Sequence, residues 1–211
     1  MKIGILAVQG DFEAHAKMLE RMGVPYVFVR TPEDMEGVDG LIFPGGESTT
    51  HLKVMSEEGL LGAVQKFAEK GGAFFGTCAG AILLAKEVHR PEQASLGLLD
   101  VSVLRNGYGR QLASEVRMGE SKLSEQPIEM VFIRAPIIER VGRDVEVLAE
   151  NEGLPVLVRQ GRVLAATFHP ELTSDTTVHN YFVKIAANGK PISGQQTRQS
   201  PAEKSKSAVH R

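Results

Sequence analysis

The pentapeptide Gly76-Thr-Cys-Ala-Gly80 restricts this chain more than any other feature. The apolar run Ala73 to Phe75 leads into it, and a second apolar run, Ala81 to Val88, leads away as a predicted helix. Strand, tight turn and helix in that order make a nucleophile elbow, here with cysteine at its apex. The turn strains the nucleophile's backbone, and the small neighbours Gly76 and Gly80 let strand and helix approach closely. The thiol then stands at the carboxyl edge of a sheet, where open α/β folds bind ligands. A helix N-terminus behind it favours thiolate, and its free N–H groups can hold an oxyanion. The competing reading is a small buried core cysteine, which this context disfavours.

The rest of the first half supports a parallel sheet flanked by helices. Ile3 to Val8 is a near-continuous apolar run, as in a strand buried on both faces. Asp11 can cap a helix carrying Phe12, Leu19 and Met22 and stopping at Gly23. Tyr26 to Val29 and Leu41 to Phe43 read as strands. Leu60, Leu61, Val64, Phe67 and Ala68 mark an amphipathic helix ending at Gly71-Gly72. Later the texture changes. Leu112, Ser114, Val116 and Met118 alternate with Gln111, Ala113, Glu115 and Arg117, as in a half-exposed strand. Val156 to Arg159 and Val163 to Phe168 flank Gln160-Gly161 as a hairpin. A last helix, Asp175 to Ala187, sets Val178, Phe182 and Ile185 on one face. The expected fold is α/β, a mainly parallel central sheet with antiparallel additions.

A nucleophilic thiol needs a base, since an unperturbed cysteine is only a few per cent thiolate at neutral pH. His169-Pro-Glu171 follows the second strand of the hairpin, and in an extended chain its first and third residues project to one side. Cys78, His169 and Glu171 are therefore the candidate triad, the carboxylate orienting the imidazole. The other histidines (His15, His51, His89, His179 and His210) have no comparable context and make no metal spacing. In Gly40-Leu-Ile-Phe-Pro-Gly-Gly-Glu-Ser-Thr-Thr50 a strand ends in paired glycines whose N–H groups could cradle a phosphate but better suit an oxyanion and substrate loop. Glu47 makes an anion-only site less attractive, and no phosphate-loop or dinucleotide fingerprint is present.

Several of these segments together resemble one family. The elbow and His169-Pro-Glu171 look like class I glutamine amidotransferases. Ala7-Val-Gln-Gly10, Pro44 to Thr49, Arg105-Asn-Gly-Tyr-Gly-Arg-Gln111, Phe132-Ile-Arg-Ala-Pro136 and Phe168 to Thr173 narrow this to the glutaminase subunits of pyridoxal 5′-phosphate synthases. Phe43 and Tyr108 stand where an aliphatic residue and Phe are expected, both apolar changes. The resemblance implies a flavodoxin-like three-layer fold and glutamine hydrolysis without a cofactor or metal. Cys78 would be the nucleophile, with Gly46 and Ala79 as the oxyanion hole. Gly46, Glu47, Ser48, Arg105, Ile133 and Arg134 would bind L-glutamine, and Gln9 would lie near the partner contact. That partner would be the synthase subunit, a barrel enzyme whose dodecameric core is decorated by glutaminase subunits and receives the ammonia.

Composition sets the remaining limits. The chain has 211 residues, 42% hydrophobic, which suits one domain over residues 1–188. From Gly189 onward five basic residues face one acidic one, a net +4 in a chain of formal charge −2, so the first 188 residues carry −6. This polar tail, 189–211, is expected to be disordered or loosely docked. Nothing marks the whole chain as a nucleic-acid binder or a membrane protein. The single cysteine and the absence of a signal-peptide pattern suit the cytoplasm. Another class I glutaminase, such as that of imidazole glycerol phosphate synthase, is the nearest alternative. A cysteine peptidase or γ-glutamyl hydrolase, or a non-catalytic scaffold, completes the field.

Overall fold

The computed structural model describes residues 1–105, 107 and 114–188. Four short strands, β1 (Ile3–Leu6), β2 (Tyr26–Val29), β3 (Gly40–Phe43) and β4 (Ala73–Thr77), alternate with helices α1 (Phe12–Arg21), α2 (Ser48–Glu57) and α3 (Leu60–Glu69). The elbow helix α4 (Ala79–Leu84) follows β4. Next come β5 (Ala85–His89), β6 (Leu99–Leu104), β7 (Glu115–Ser121), β8 (Ser124–Phe132), β9 (Ile137–Val141), β10 (Glu146–Asn151), β11 (Leu154–Gln160) and β12 (Val163–Ala166). Helix α5 (Thr177–Ala187) closes the described part.

The main sheet has the order β2-β1-β3-β4-β12-β11-β10-β7-β8. The pairs from β2 to β12 are parallel, and those from β12 to β8 are antiparallel. A second sheet, β5-β6-β9, packs against β11 of the first. Alternation along the parallel strands feeds two cores. Ile3, Ile5, Ile42 and Phe75 pack with Ala16 and Leu19 of α1 and with Val178, Phe182 and Ile185 of α5. Leu6, Leu41, Phe43 and Phe74 pack instead with Met55 of α2, Val64 of α3 and all of Ala81 to Leu84. Helices therefore cover both faces of a sheet whose parallel strands are apolar on both, the three-layer arrangement that burial of such strands requires.

Several local readings shift. The helix predicted to reach Val88 ends at Leu84, and Ala85–His89 becomes a strand parallel to β6. A short apolar run is compatible with either state, and the non-local partner decides it. Helix α2 was not foreseen because it buries only Ser48, His51 and Met55, too narrow a stripe to read. Asp11 occupies the N-cap of α1 but makes no side-chain capping bond. Of the alternating segment, 111–113 fall outside the described residues, and in β7 the apolar pair Val116 and Met118 is the outward one, 61% and 65% exposed. The predicted tail, 189–211, also lies outside the described residues.

Candidate active site

Cys78 sits between the last residue of β4 and the first of α4 with φ +48° and ψ −103°. Positive φ is costly for any residue with a Cβ, and such strain persists only where the surroundings over-determine it. They do so here. A Cβ on Gly76 would fall 2.5 Å from the Gly80 carbonyl carbon, and one on Gly80 would overlap the Phe43 carbonyl oxygen. Strand β4, helix α4 and the end of β3 thus close around the turn at glycine-only distances. The Cys78 N–H donates to the Ala166 carbonyl at 2.9 Å, pinning the apex to β12.

Strand β12 lies parallel to β4 with Ala166 opposite Thr77, so the chain leaving β12 passes beside the thiol. His169 is nearly buried there, and its N–H donates to the Val131 carbonyl at 2.8 Å. Its Nδ1 lies 2.8 Å from Glu171 Oε1. The pairing is the predicted one, but its geometry differs. Residues Pro170–Leu172 form a 3-10 turn rather than a continued strand, and the turn folds the carboxylate back onto the imidazole. Two partners compete for Cys78 Sγ: the Ile133 carbonyl oxygen at 3.8 Å and the His169 imidazole. Burial opposes protonation of His169, yet its hydrogen bonds to Cys78 and Glu171 and the charges of both raise its pKa to about 10. An imidazolium therefore stands beside the nucleophile. Helix α4, only six residues long, adds less positive potential there than a longer helix would.

In front of the thiol opens a cleft of about 200 Å³. Its walls include Gln9, Gly46, Glu47, Ser48, Cys78, Ala79, Arg105, Ile133, Arg134 and His169, which is every residue predicted for the site except Glu171. Glu171 stands behind His169, with its side chain buried. Asp11, Ile82 and Pro136 complete the lining and were not anticipated. The 45–47 loop is held in place from β1's side: Gly45 accepts the Asp11 N–H at 3.2 Å, and Gln9 Oε1 accepts the Glu47 N–H at 3.0 Å. Gly46 has φ +138°, and a Cβ there would meet Gln9 Oε1 at 2.5 Å, so only glycine fits. Buried His51 donates from Nε2 to the Gln9 carbonyl at 2.9 Å, tying α2 to the same loop. Most of Arg105 to Gln111 lies outside the described residues. Asp11, His169 and Glu171 bring three possible ligand atoms within 4.8 Å of one another, but Nδ1 is already engaged by Glu171 and Asp11 is exposed.

Residues 5–188 match the SNO glutamine amidotransferase family. The chain belongs to that family. It is 55% identical over 189 residues to the pyridoxal 5′-phosphate synthase subunit PdxT of Koribacter versatilis, covering 90% of this chain and 97% of that protein. It is 52% identical over 187 residues to the PdxT subunit of Thermus thermophilus, covering 87% and 97%. Among solved structures, one described as a glutamine amidotransferase superposes with a TM-score of 0.83 at 50% identity, covering 88% of this chain and 98% of that one. The SNO family match ends at residue 188, where the described C-terminal part ends. Among the described residues no helix is long and apolar enough to cross a membrane.

Proposed function

We infer that this chain is the glutaminase subunit of a pyridoxal 5′-phosphate synthase, hydrolysing L-glutamine and supplying ammonia to the synthase subunit. One observation carries the reading: Cys78 and a Glu171-held His169 meet at a cleft lined by two arginines, a glutamate and a glycine loop. Arg105 or Arg134 offers the fork that binds an α-carboxylate through both oxygens, and Glu47 offers a counter-charge for the α-ammonium. Gly46, Ser48 and Ile133 complete the walls around the substrate. The side-chain amide then points at Cys78.

The chemistry follows from this arrangement. His169 already carries the proton, and the Cys78 sulfur paired with it adds as thiolate to the amide carbon. The Gly46 N–H of the glycine loop and the Ala79 N–H, which lies in the first turn of α4 and lacks an intrahelical partner, receive the developing oxyanion. His169 returns the proton to the departing nitrogen, releasing ammonia and leaving a glutamyl thioester. Water, deprotonated by His169, hydrolyses the thioester to glutamate and restores the sulfur–imidazolium pair. Glu171 stabilises the imidazolium at each transfer. No cofactor or metal takes part in these steps.

The synthase partner, a barrel enzyme with a dodecameric core carrying glutaminase subunits, receives the ammonia directly. Gln9 is the candidate contact. Because Gln9 Oε1 holds the Glu47 N–H and abuts Gly46, pressure on Gln9 reaches the oxyanion loop. Docking would thereby complete the site and prevent idle glutamine hydrolysis, an induced-fit logic. The glutaminase domain on this reading is residues 1–188. The test is ammonia release from L-glutamine with and without the synthase subunit. Strong stimulation is expected; equal turnover would remove the partner's role, and no turnover would return the chain to the peptidase and scaffold readings.

A further inference from the structure

Behind Glu171 runs a line of buried polar side chains that the reaction above does not use. Thr77, the last residue of β4, donates from Oγ1 to Glu171 Oε1 at 3.2 Å. His15 on α1 places Nε2 3.1 Å from the same hydroxyl. His179 on α5 places Nε2 2.9 Å from His15 Nδ1. All three are 0% exposed. Both imidazoles stand against Phe75, at ring-centroid distances of 6.0 and 5.4 Å, in the apolar layer between α1, α5 and the sheet. Two imidazoles in such a layer cost desolvation that two apolar side chains would avoid, so packing alone does not account for them.

The hydrogen positions are dictated by the acceptor at the end of the line. A carboxylate only accepts, so the Thr77 hydroxyl proton points at Glu171. The Thr77 oxygen must then receive the His15 Nε2–H, which leaves His15 Nδ1 bare to receive the His179 Nε2–H. Each donor aims toward Glu171, and each ring is neutral. Burial, with the His179 and His169 rings beside it, holds His15 well below the usual histidine range, and burial pushes His179 down to about 3. Neutrality matters because His15 Nε2 is also only 3.6 Å from Glu171 Oε1. A cationic His15 would compete with His169 for the carboxylate.

We propose that Thr77, His15 and His179 are positioning residues that fix the Glu171 carboxylate, and through it the ring orientation of His169. They act as a directed chain of neutral donors. The proposal rests on the glutaminase reading for its rate effects, not for its geometry. A relay of this kind orients the base without adding charge to the triad.

The test combines turnover in the complete complex with the synthase subunit and imidazole-nitrogen NMR on the full chain. Thr77→Val, which keeps the side chain's shape, and His15→Phe are expected to lower kcat about 10- to 100-fold, the loss of one hydrogen bond to a charged group. KM should stay within about twofold, because no substrate contact is removed. His15→Gln, whose amide can keep a donor toward Thr77, should recover most of the loss. In the wild type both His15 and His179 should read as neutral Nε2–H tautomers. Wild-type kcat in folded Thr77→Val, a loss confined to KM, or an Nδ1–H or cationic form of either ring would overturn the relay. Thr77→Val keeps the test decisive if His15→Phe does not fold. A wild type that releases no ammonia would instead overturn the glutaminase reading, and the tautomers would still judge the relay.

Discussion

The Asp11 carboxylate lies 3.8 Å from His169 Nδ1, beyond hydrogen-bond reach of a nitrogen that Glu171 holds at 2.8 Å. Two carboxylates thus face one ring, and only the buried one is bonded to it. Glu171→Gln should lower kcat for ammonia release by about 100-fold or more, since the imidazolium loses its counter-charge. Asp11→Asn, at a side chain 47% exposed, should change it by less than about threefold. Steady-state assays of the two variants side by side decide the matter, and equal losses would reassign the orienting role.

Cys78→Ser should abolish glutamine-driven synthesis in the complex while leaving synthesis from added ammonium salts intact. Removing the nucleophile touches only the supply of nitrogen. If both fail, Cys78 serves assembly and not chemistry.

Backbone strain at the same residue has a stability signature. At φ +48° glycine is unstrained, whereas alanine keeps the Cβ clash. Cys78→Gly should therefore be more stable than Cys78→Ala by about 1 kcal/mol, although both are inactive. Denaturant midpoints report the difference, and an alanine variant of equal stability would show the turn to be relaxed. Gly80→Ala makes the opposite point. A methyl group there meets the Phe43 carbonyl, so a loss of about 1–3 kcal/mol or more is expected.

The buried rings predict a two-sided pH dependence of stability. His15 and His179 have folded-state pKa values below the ordinary one, largely through burial. Both contributions are complete above about pH 6.5 and are lost as pH falls, that of His179 through about 3, with a slope of up to about 1.4 kcal/mol per pH unit for each. His169 behaves the other way. Its raised pKa makes its contribution complete below about pH 6.5 and removes it as pH rises through about 10. Urea midpoints across this range should form a dome, and His179→Phe should flatten its acid limb. An unchanged acid limb would mean that other groups govern acid unfolding.

What was legible in the sequence was local. The elbow could be read because strand, glycine turn and helix adjoin, and His169 with Glu171 because a single residue separates them. The walls of the cleft required resemblance, since nothing in the spacing of Arg105 and Arg134 points to a shared cavity. His15 and His179 were passed over because their partners lie far along the chain: His15 meets a residue 164 positions away. Ala85 to His89 was misread for the same reason, its strand state being set by β6 and not by its own composition. Long-range pairing decides such elements, and a local pattern does not carry it.

Among the described residues strand β12 is the last strand in sequence, yet it sits beside β4 near the middle of the sheet. A chain still emerging from the ribosome therefore carries its cysteine long before it carries the strand that delivers the base. Parallel pairing across so many intervening residues comes late, after the entropy of closing the loop has been met. Unfinished copies thus hold an unassisted thiol and leave the cell's glutamine alone, and the reactive centre comes into being only with nearly the whole domain in place.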